Sequence, residues 1–264
     1  MNWNHFIGFA LAGIFFQIAA SILAFLNKRK PALWMEACGL AVLGVFIAGF
    51  WITAQRPPLA SMGETRLWYA FFLGLCGLGV YAAYRYRWIL GLGTLLSTVF
   101  LLLNLFRPEL QTRPLMPILQ SGWFIPHVIV YIFAYGLLSV SFLLSLYSLF
   151  RPRHTANTQL MAHIDQLTRL GAGFILTGIC LGAIWAKQAW GYFWTWDPKE
   201  TWALITLLCY GIYIGMRQCN AVQAIFRDRS CAFVQMLGFI ALQISWYGIN
   251  YLKASQGMSV HTYA

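Results

Sequence analysis

FIPHVIVYIFAYGLLSVSFLLSLYSL, residues 124–149, contains no Asp, Glu, Lys or Arg. A hydrocarbon core is about 30 Å thick and a helix crosses it in about 20 residues, so this run is long enough to span. Seven further apolar runs bracket it, at about 5–27, 33–54, 67–84, 88–106, 167–189, 201–218 and 231–252. In lipid the backbone must satisfy its own hydrogen bonds, so the runs predict helices. The expected fold is all-α: a polytopic membrane protein of about eight transmembrane helices, with both termini on the outer (periplasmic or lumenal) face.

Composition points the same way. Of 264 residues, 60% are hydrophobic and 9% charged, whereas soluble domains carry about 25% charged residues. The net charge of +11 arises from 18 Lys and Arg against 7 Asp and Glu. These basic residues sit in short clusters between apolar runs, where they set orientation; nucleic-acid binding is the weaker reading. Eleven of the eighteen (Lys28, Arg29, Lys30, Arg85, Arg87, Arg151, Arg153, Arg169, Arg217, Arg227 and Arg229) fall on one side of the ladder, which the positive-inside rule makes cytoplasmic. The six cysteines form no C-x-x-C, which argues against a disulfide framework, a thiol-redox motif and covalent haem on this chain. The first apolar run is too long for a signal-peptide core and is expected to remain in the mature protein.

The outward connections hold the irregular sequence. Residues 107–123 contain Pro108, Pro114 and Pro117, which forbid one continuous helix and suggest an interfacial segment. Residues 190–200 read WGYFWTWDPKE, and the tail ends KASQGMSVHTYA. Between Trp190 and Trp202 lie Trp190, Tyr192, Phe193, Trp194, Trp196 and Trp202. An aromatic belt would spread such rings over all helix ends, so their concentration favours a shelf for a flat apolar ligand. Asp197, Pro198 and Glu200 have the spacing of an N-cap, first helical residue and capping-box partner. With Lys187 and Lys199, that helix start offers positive potential to anionic groups.

Among five histidines, His154 and His163 fall in the cytoplasmic connection, and His5 at an outer helix end. His127 lies about one turn inside the fifth run and should face the bundle, since lipid exposure would be costly. His261 follows the last run by nine residues, a reach of about 30 Å when extended. His127 precedes Trp190 by 63 residues, His261 follows Trp196 by 65, and all are expected on one face. Two neutral imidazoles flanking an apolar shelf suit an axially ligated haem. Glu36, an acid inside a predicted span, is expected to form an interfacial ion pair with Lys28, Arg29 or Lys30.

The stretch WAKQAWGYFWTWDPKETWALIT, Trp185 to Thr206, resembles the WWD signature of the CcsA/ResC-type cytochrome c assembly proteins of the haem-handling superfamily. His163 to Ala186 and Trp246 to Ala264 are also similar to that family. This divides the chain into N-terminal membrane helices, 1–122, and a haem-handling membrane core, 123–264, with the WWD loop at 190–202 and the outward tail. The resemblance implies haem b held by His127 and His261 as axial iron ligands, with Trp190, Gly191, Trp194, Trp196 and Asp197 lining the site. It implies attachment of that haem to the C-x-x-C-H motif of apocytochrome c, within a cytochrome c synthase (haem lyase) complex containing a CcsB/ResB-type membrane partner. It places the chain in the bacterial inner (cytoplasmic) membrane, or a thylakoid. The family's histidine in the helix after the loop is absent here: the corresponding stretch is Tyr213-Ile214-Gly215-Met216-Arg217. That departure leaves open a second reading, a HemX-like haem-binding regulatory membrane protein that does not carry out attachment.

Overall fold

A computed structural model of the chain describes residues 1–111, 121–150, 158–219 and 224–250. These fold as eight helices: α1 (Phe6–Phe25), α2 (Arg29–Ala54), α3 (Met62–Tyr84), α4 (Arg87–Phe106), α5 (Phe124–Leu149), α6 (Thr158–Trp190), α7 (Pro198–Gln218) and α8 (Ala224–Trp246). Short 3-10 turns occupy Trp3–His5, Pro108–Leu110 and Gly248–Asn250. There is no strand among the described residues. The proline-rich 107–123 connection does break the helix at Phe106, but residues 112–120 lie outside the described residues.

Six helices, α1 to α6, are long and apolar enough to cross a membrane. The expected eight spans correspond to eight helices, yet α7 and α8 are more polar. α7 carries Lys199, Glu200 and Arg217, and α8 carries Asp228, Arg229, Gln235 and Gln243.

The burial pattern fits a bundle in lipid. α1 buries Ala10, Gly13, Gln17, Ala20, Ser21 and Ala24, and exposes Ile7, Leu11, Phe15, Ile18, Ile22 and Phe25. Both sets repeat every three to four residues, so the packed face, apart from Phe6 and Ile14, is small or polar and the opposite face large and apolar. Water would select the reverse; in lipid, close helix approach through small residues drives association.

The chain forms two compact units, Met1–Met116 and Pro117–Ala264. In the first, α1 packs on α2 and α4, and α3 on α2 and α4. Phe6, Leu43, Phe46, Leu67 and Leu101 form its core. Ser61 caps α3 by accepting from the Glu64 N–H at 3.2 Å, while Glu64 pairs with Arg56 at 2.9 Å. Glu36 departs from the expected interfacial ion pair. Its side chain is only 1% exposed and accepts from Gln17 Nε2 at 3.4 Å. At the turn entering α2, Arg29 instead donates to the Ala82 carbonyl at 2.6 Å.

In the second unit α5 packs on α6 and α8, and α7 on α6 and α8. α6 begins nine residues before its apolar run, because Leu160, Ile164, Leu167, Gly171, Ile175 and Gly178 continue one buried stripe through polar sequence. Its 33 residues extend about 50 Å, well beyond a hydrocarbon core. The ends of α5, α6, α7 and α8 therefore gather into two polar ends, one holding the aromatic loop and one holding acidic and basic side chains.

Candidate functional site

α5 starts without a side-chain cap, and Pro126 falls in its first turn, where a missing N–H breaks no helical bond. His127 follows, half-buried against α6. Its Nδ1 lies 2.8 Å from the Gly178 carbonyl oxygen. A carbonyl can only accept, so Nδ1 carries the proton and the Nε2 lone pair is the basic one. Trp185 stacks on the imidazole at 5.8 Å with 22° between planes, and Tyr131 lies at 4.9 Å on another side.

Glycine makes this approach possible. A Cβ at Gly182 would sit 2.6 Å from His127 Cε1, and one at Gly178 would sit 2.3 Å from the Tyr131 ring. A further glycine, Gly171, receives Leu138 in the same way at 2.5 Å. The α6 glycines thus form a groove along which α5 lays Leu138, Tyr131 and His127 in succession.

From His127 an aromatic path runs to the loop. Trp185 meets Phe124 at 5.4 Å and Trp190 edge to face at 4.8 Å. α6 ends at Trp190 because Gly191 adopts φ +85°, a left-handed conformation that glycine reaches without strain. The Gly191 N–H donates to Lys187 O at 3.1 Å, and Lys187 Nζ donates to Gly191 O at 2.7 Å. The same ammonium stands 5.4 Å over the Phe193 ring.

Tyr192, Phe193 and Trp196 are 69%, 57% and 67% exposed. Trp194 and Trp196 cross at 86° with centroids 5.7 Å apart, so they form a corner and not one plane. Trp196 holds φ +58°, unusual for a large side chain. The buried Nε1 of Trp194 has no hydrogen-bond acceptor among the described residues.

What holds this conformation is the head of α7. Asp197 is buried and accepts from the Lys199 N–H at 2.8 Å. Glu200 accepts from the N–H groups of Asp197 at 3.3 Å and Thr195 at 2.8 Å. The capping box expected from the sequence is thus formed, with Pro198 in the first turn. Thr201 donates to Trp196 O, and Ser245 of α8 donates to Lys199 O, both across 3.2–3.3 Å. Two carboxylates and two hydroxyls thereby fix a loop whose rings remain uncovered.

The structure brings His127, Trp190, Gly191, Trp194, Trp196 and Asp197 to one end of the second unit; His261 lies outside the described residues. Trp185, the ring between His127 and the loop, received no role in the sequence reading. Its signal is the spacing Gly178, Gly182, Trp185, which puts all three on one face of α6. His5 is exposed and shares a 2.7 Å hydrogen bond with Asn2.

At the opposite end, Arg217 of α7 donates from Nε and Nη2 to Asp165 of α6 at 2.8 and 2.9 Å, and from Nη1 to Asp228 of α8 at 2.5 Å. Tyr213 donates to the same Asp165 at 2.8 Å. Beside this network, a Cβ at Gly215 would meet nothing within 4 Å.

Residues 3–255 match the family model described as cytochrome C assembly protein. The chain is similar to the cytochrome c biogenesis protein CcsA of Chlamydomonas reinhardtii, at 32% identity over 81% of this chain and 62% of that protein. The CcsA of Guillardia theta is 30% identical over 81% of this chain and 78% of its own length. For the CcsA of Cyanophora paradoxa the match is 28% identical and covers 99% and 95%. The match runs through both compact units and through every element of the aromatic site: the chain belongs to the cytochrome c assembly protein family, and its role lies in cytochrome c biogenesis.

Proposed function

We propose that this protein binds haem b at its outward end and presents it for attachment to apocytochrome c. The observation that carries this reading is the state of His127. Its Nδ1 proton is held by the Gly178 carbonyl, and its Nε2 lone pair lies at the same end as an exposed aromatic loop. A carbonyl that fixes tautomer and ring orientation is a usual partner of a metal-ligating histidine. The residues fit a haem in other respects. Trp190, Trp194 and Trp196 supply apolar faces, Trp194 Nε1 an unused donor, and Lys187 a cation for a propionate. His261, in the C-terminal tail, is the proposed second ligand. Gly191 and Asp197 shape the loop that does the holding.

In this reading haem is the substrate. Each cysteine S–H of a C-x-x-C-H segment adds across a haem vinyl group: the S–H bond breaks, a C–S bond and a C–H bond form, and no net oxidation occurs. The chain contributes orientation and exclusion of wrong geometries, which are a protein's levers when a bound group carries the chemistry. The aromatic rings restrict how the macrocycle lies, and the two imidazoles hold it until the substrate histidine replaces one of them. A CcsB/ResB-type membrane partner completes the synthase, and the membrane is the bacterial cytoplasmic membrane or a thylakoid.

Purified protein tests this directly. The expected result is a bis-histidine absorption spectrum that is lost in both His127→Ala and His261→Ala; unchanged haem content in both variants overturns the proposal. A second reading, a HemX-like haem-binding regulator, draws on Gly215 and the Arg217 ion pairs standing where the family has a histidine. A deletion strain supplied with haem separates the two: a regulator leaves cytochrome c maturation intact, and an assembly protein does not.

A further inference from the structure

The N-terminal unit contains a buried acid that the haem reading does not use. Glu36 lies seven residues into α2, about 10 Å along the axis from Arg29 at its start. It faces Gln17 of α1, itself fully buried, and the only hydrogen bond between them runs from Gln17 Nε2 to Glu36 Oε1 at 3.4 Å. Among the described residues no lysine, arginine or histidine pairs with Glu36. Glu36 Oε2 and Gln17 Oε1 are both buried and have no partner there. Gly74 of α3 closes the third side: a Cβ on it would sit 2.9 Å from Gln17 Nε2 and 3.2 Å from Glu36 Oε1.

One turn nearer the basic end, two hydroxyls continue the polar line. Ser21 donates to the Gln17 backbone carbonyl at 3.0 Å, and Thr94, 3.3 Å from the same carbonyl, shares a hydrogen bond of 2.8 Å with the Ser21 hydroxyl. All four helices of the unit therefore meet at a small polar centre. Toward the basic end the buried packing is of Ala20, Ala24, Ala32, Leu90 and Tyr81.

A charged side chain inside a membrane-spanning bundle is costly, so an unpaired buried acid points to a functional role and not to packing. The amide of Gln17 suits both states of its neighbour. Its N–H₂ donates to a carboxylate oxygen, and its oxygen, now without a partner, accepts from a protonated one. We propose that Glu36 is a proton-exchange site of the N-terminal unit, with Gln17 as its positioning residue. The proton passes between Glu36 Oε2 and water at the basic end of the unit, past the Ser21 and Thr94 hydroxyls. No electron moves, and the charge left on the carboxylate is met by the Gln17 N–H₂.

Glu36→Gln in the full chain, expressed in its own membrane with its partners, is the test. Glutamine keeps the volume and hydrogen-bonding capacity of the neutral acid and removes only the exchangeable proton. The expected outcome is normal accumulation and an unchanged haem spectrum, with cytochrome c maturation lowered about 100-fold, the low end of what loss of a proton-transfer group costs. Glu36→Asp should restore part of the rate. Wild-type maturation in Glu36→Gln overturns the proposal. Infrared spectroscopy of the purified wild-type protein supplies a readout independent of maturation: a protonated-carboxyl band that shifts in D₂O and moves in Glu36→Asp. Absence of that band also overturns the proposal. The infrared readout does not depend on His127, so failure of the haem-ligand reading leaves that result standing.

Discussion

The two ends of the C-terminal unit solve the same problem in opposite ways. At the basic end, α6, α7 and α8 tie Asp165, Arg217 and Asp228 to one another, with Tyr213 added, and the Arg217 side chain is left 11% exposed. At the other end the carboxylates of Asp197 and Glu200 are spent on backbone N–H groups, and Tyr192, Phe193 and Trp196 stay open. Among the described residues, one end pairs its charged groups with one another. The other satisfies only the backbone and leaves its side chains to something else. A helical bundle that needed stability alone would treat both ends like the first; the contrast is what marks the aromatic end as the candidate site.

Removing the imidazole should give the largest effect. In His127→Ala, haem retention and cytochrome c maturation should fall about 100-fold or more, since even outer-shell changes at a metal ligand cost 10–100-fold. Pyridine haemochrome content of the purified protein and maturation in cells measure the two. An equal loss in Arg217→Ala would erase the distinction between the ends.

Arg217→Ala should instead act on stability, by about 3 kcal/mol, because it strands two carboxylates that the arginine now satisfies. The value is placed at the low end because Asp228 is 28% exposed. Thermal or denaturant unfolding in detergent should register the change, with the haem spectrum of the surviving protein intact. Asp165→Asn keeps one acceptor for Tyr213 and should be milder.

Gly182→Ala sharpens the comparison from within the site. The new methyl would need the space of His127 Cε1, so the ring must turn away from Trp185 and the Gly178 carbonyl. Overpacking of this kind costs about 1–3 kcal/mol. The expected signature is about a 10-fold loss of haem affinity with a shifted Soret band, at normal protein abundance. Gly215→Ala, with open space around it, should change neither quantity.

Asp197→Ala should have the smallest effect, about 1 kcal/mol from loss of an N-cap. Its mark is local: faster amide exchange at Thr195 to Thr201, and broadened aromatic-loop signals, with the basic end undisturbed. A global loss of protection would show that the loop carries the unit's stability and is not merely held by it.

Much of this was legible in the residues. Apolar runs forecast the helices because lipid leaves the backbone no other way to bond. Asp197, Pro198 and Glu200 forecast their own capping box, because capping depends on neighbours three residues apart. Other features escaped for physical reasons. The first nine residues of α6 mix polar and apolar side chains, and only their contact stripe, beginning at Leu160 and Ile164, shows that they continue the helix. Glu36 read as an interfacial residue because its sequence neighbours are Lys28, Arg29 and Lys30. Which way a helical side chain points is decided by its azimuth, and the azimuth of α2 carries Glu36 inward to Gln17.

The sequence by itself determined an all-α membrane chain, its basic faces, its concentrated tryptophans and the family it resembles. These are properties of composition and short spacing, which lipid and capping read locally. Tertiary structure alone decided that His127 gives its Nδ1 proton to the Gly178 carbonyl, that Gly182 makes room for its ring, and that Glu36 meets Gln17. Each of these depends on two helices approaching closely at a particular rotation, and no stretch of one helix contains that information.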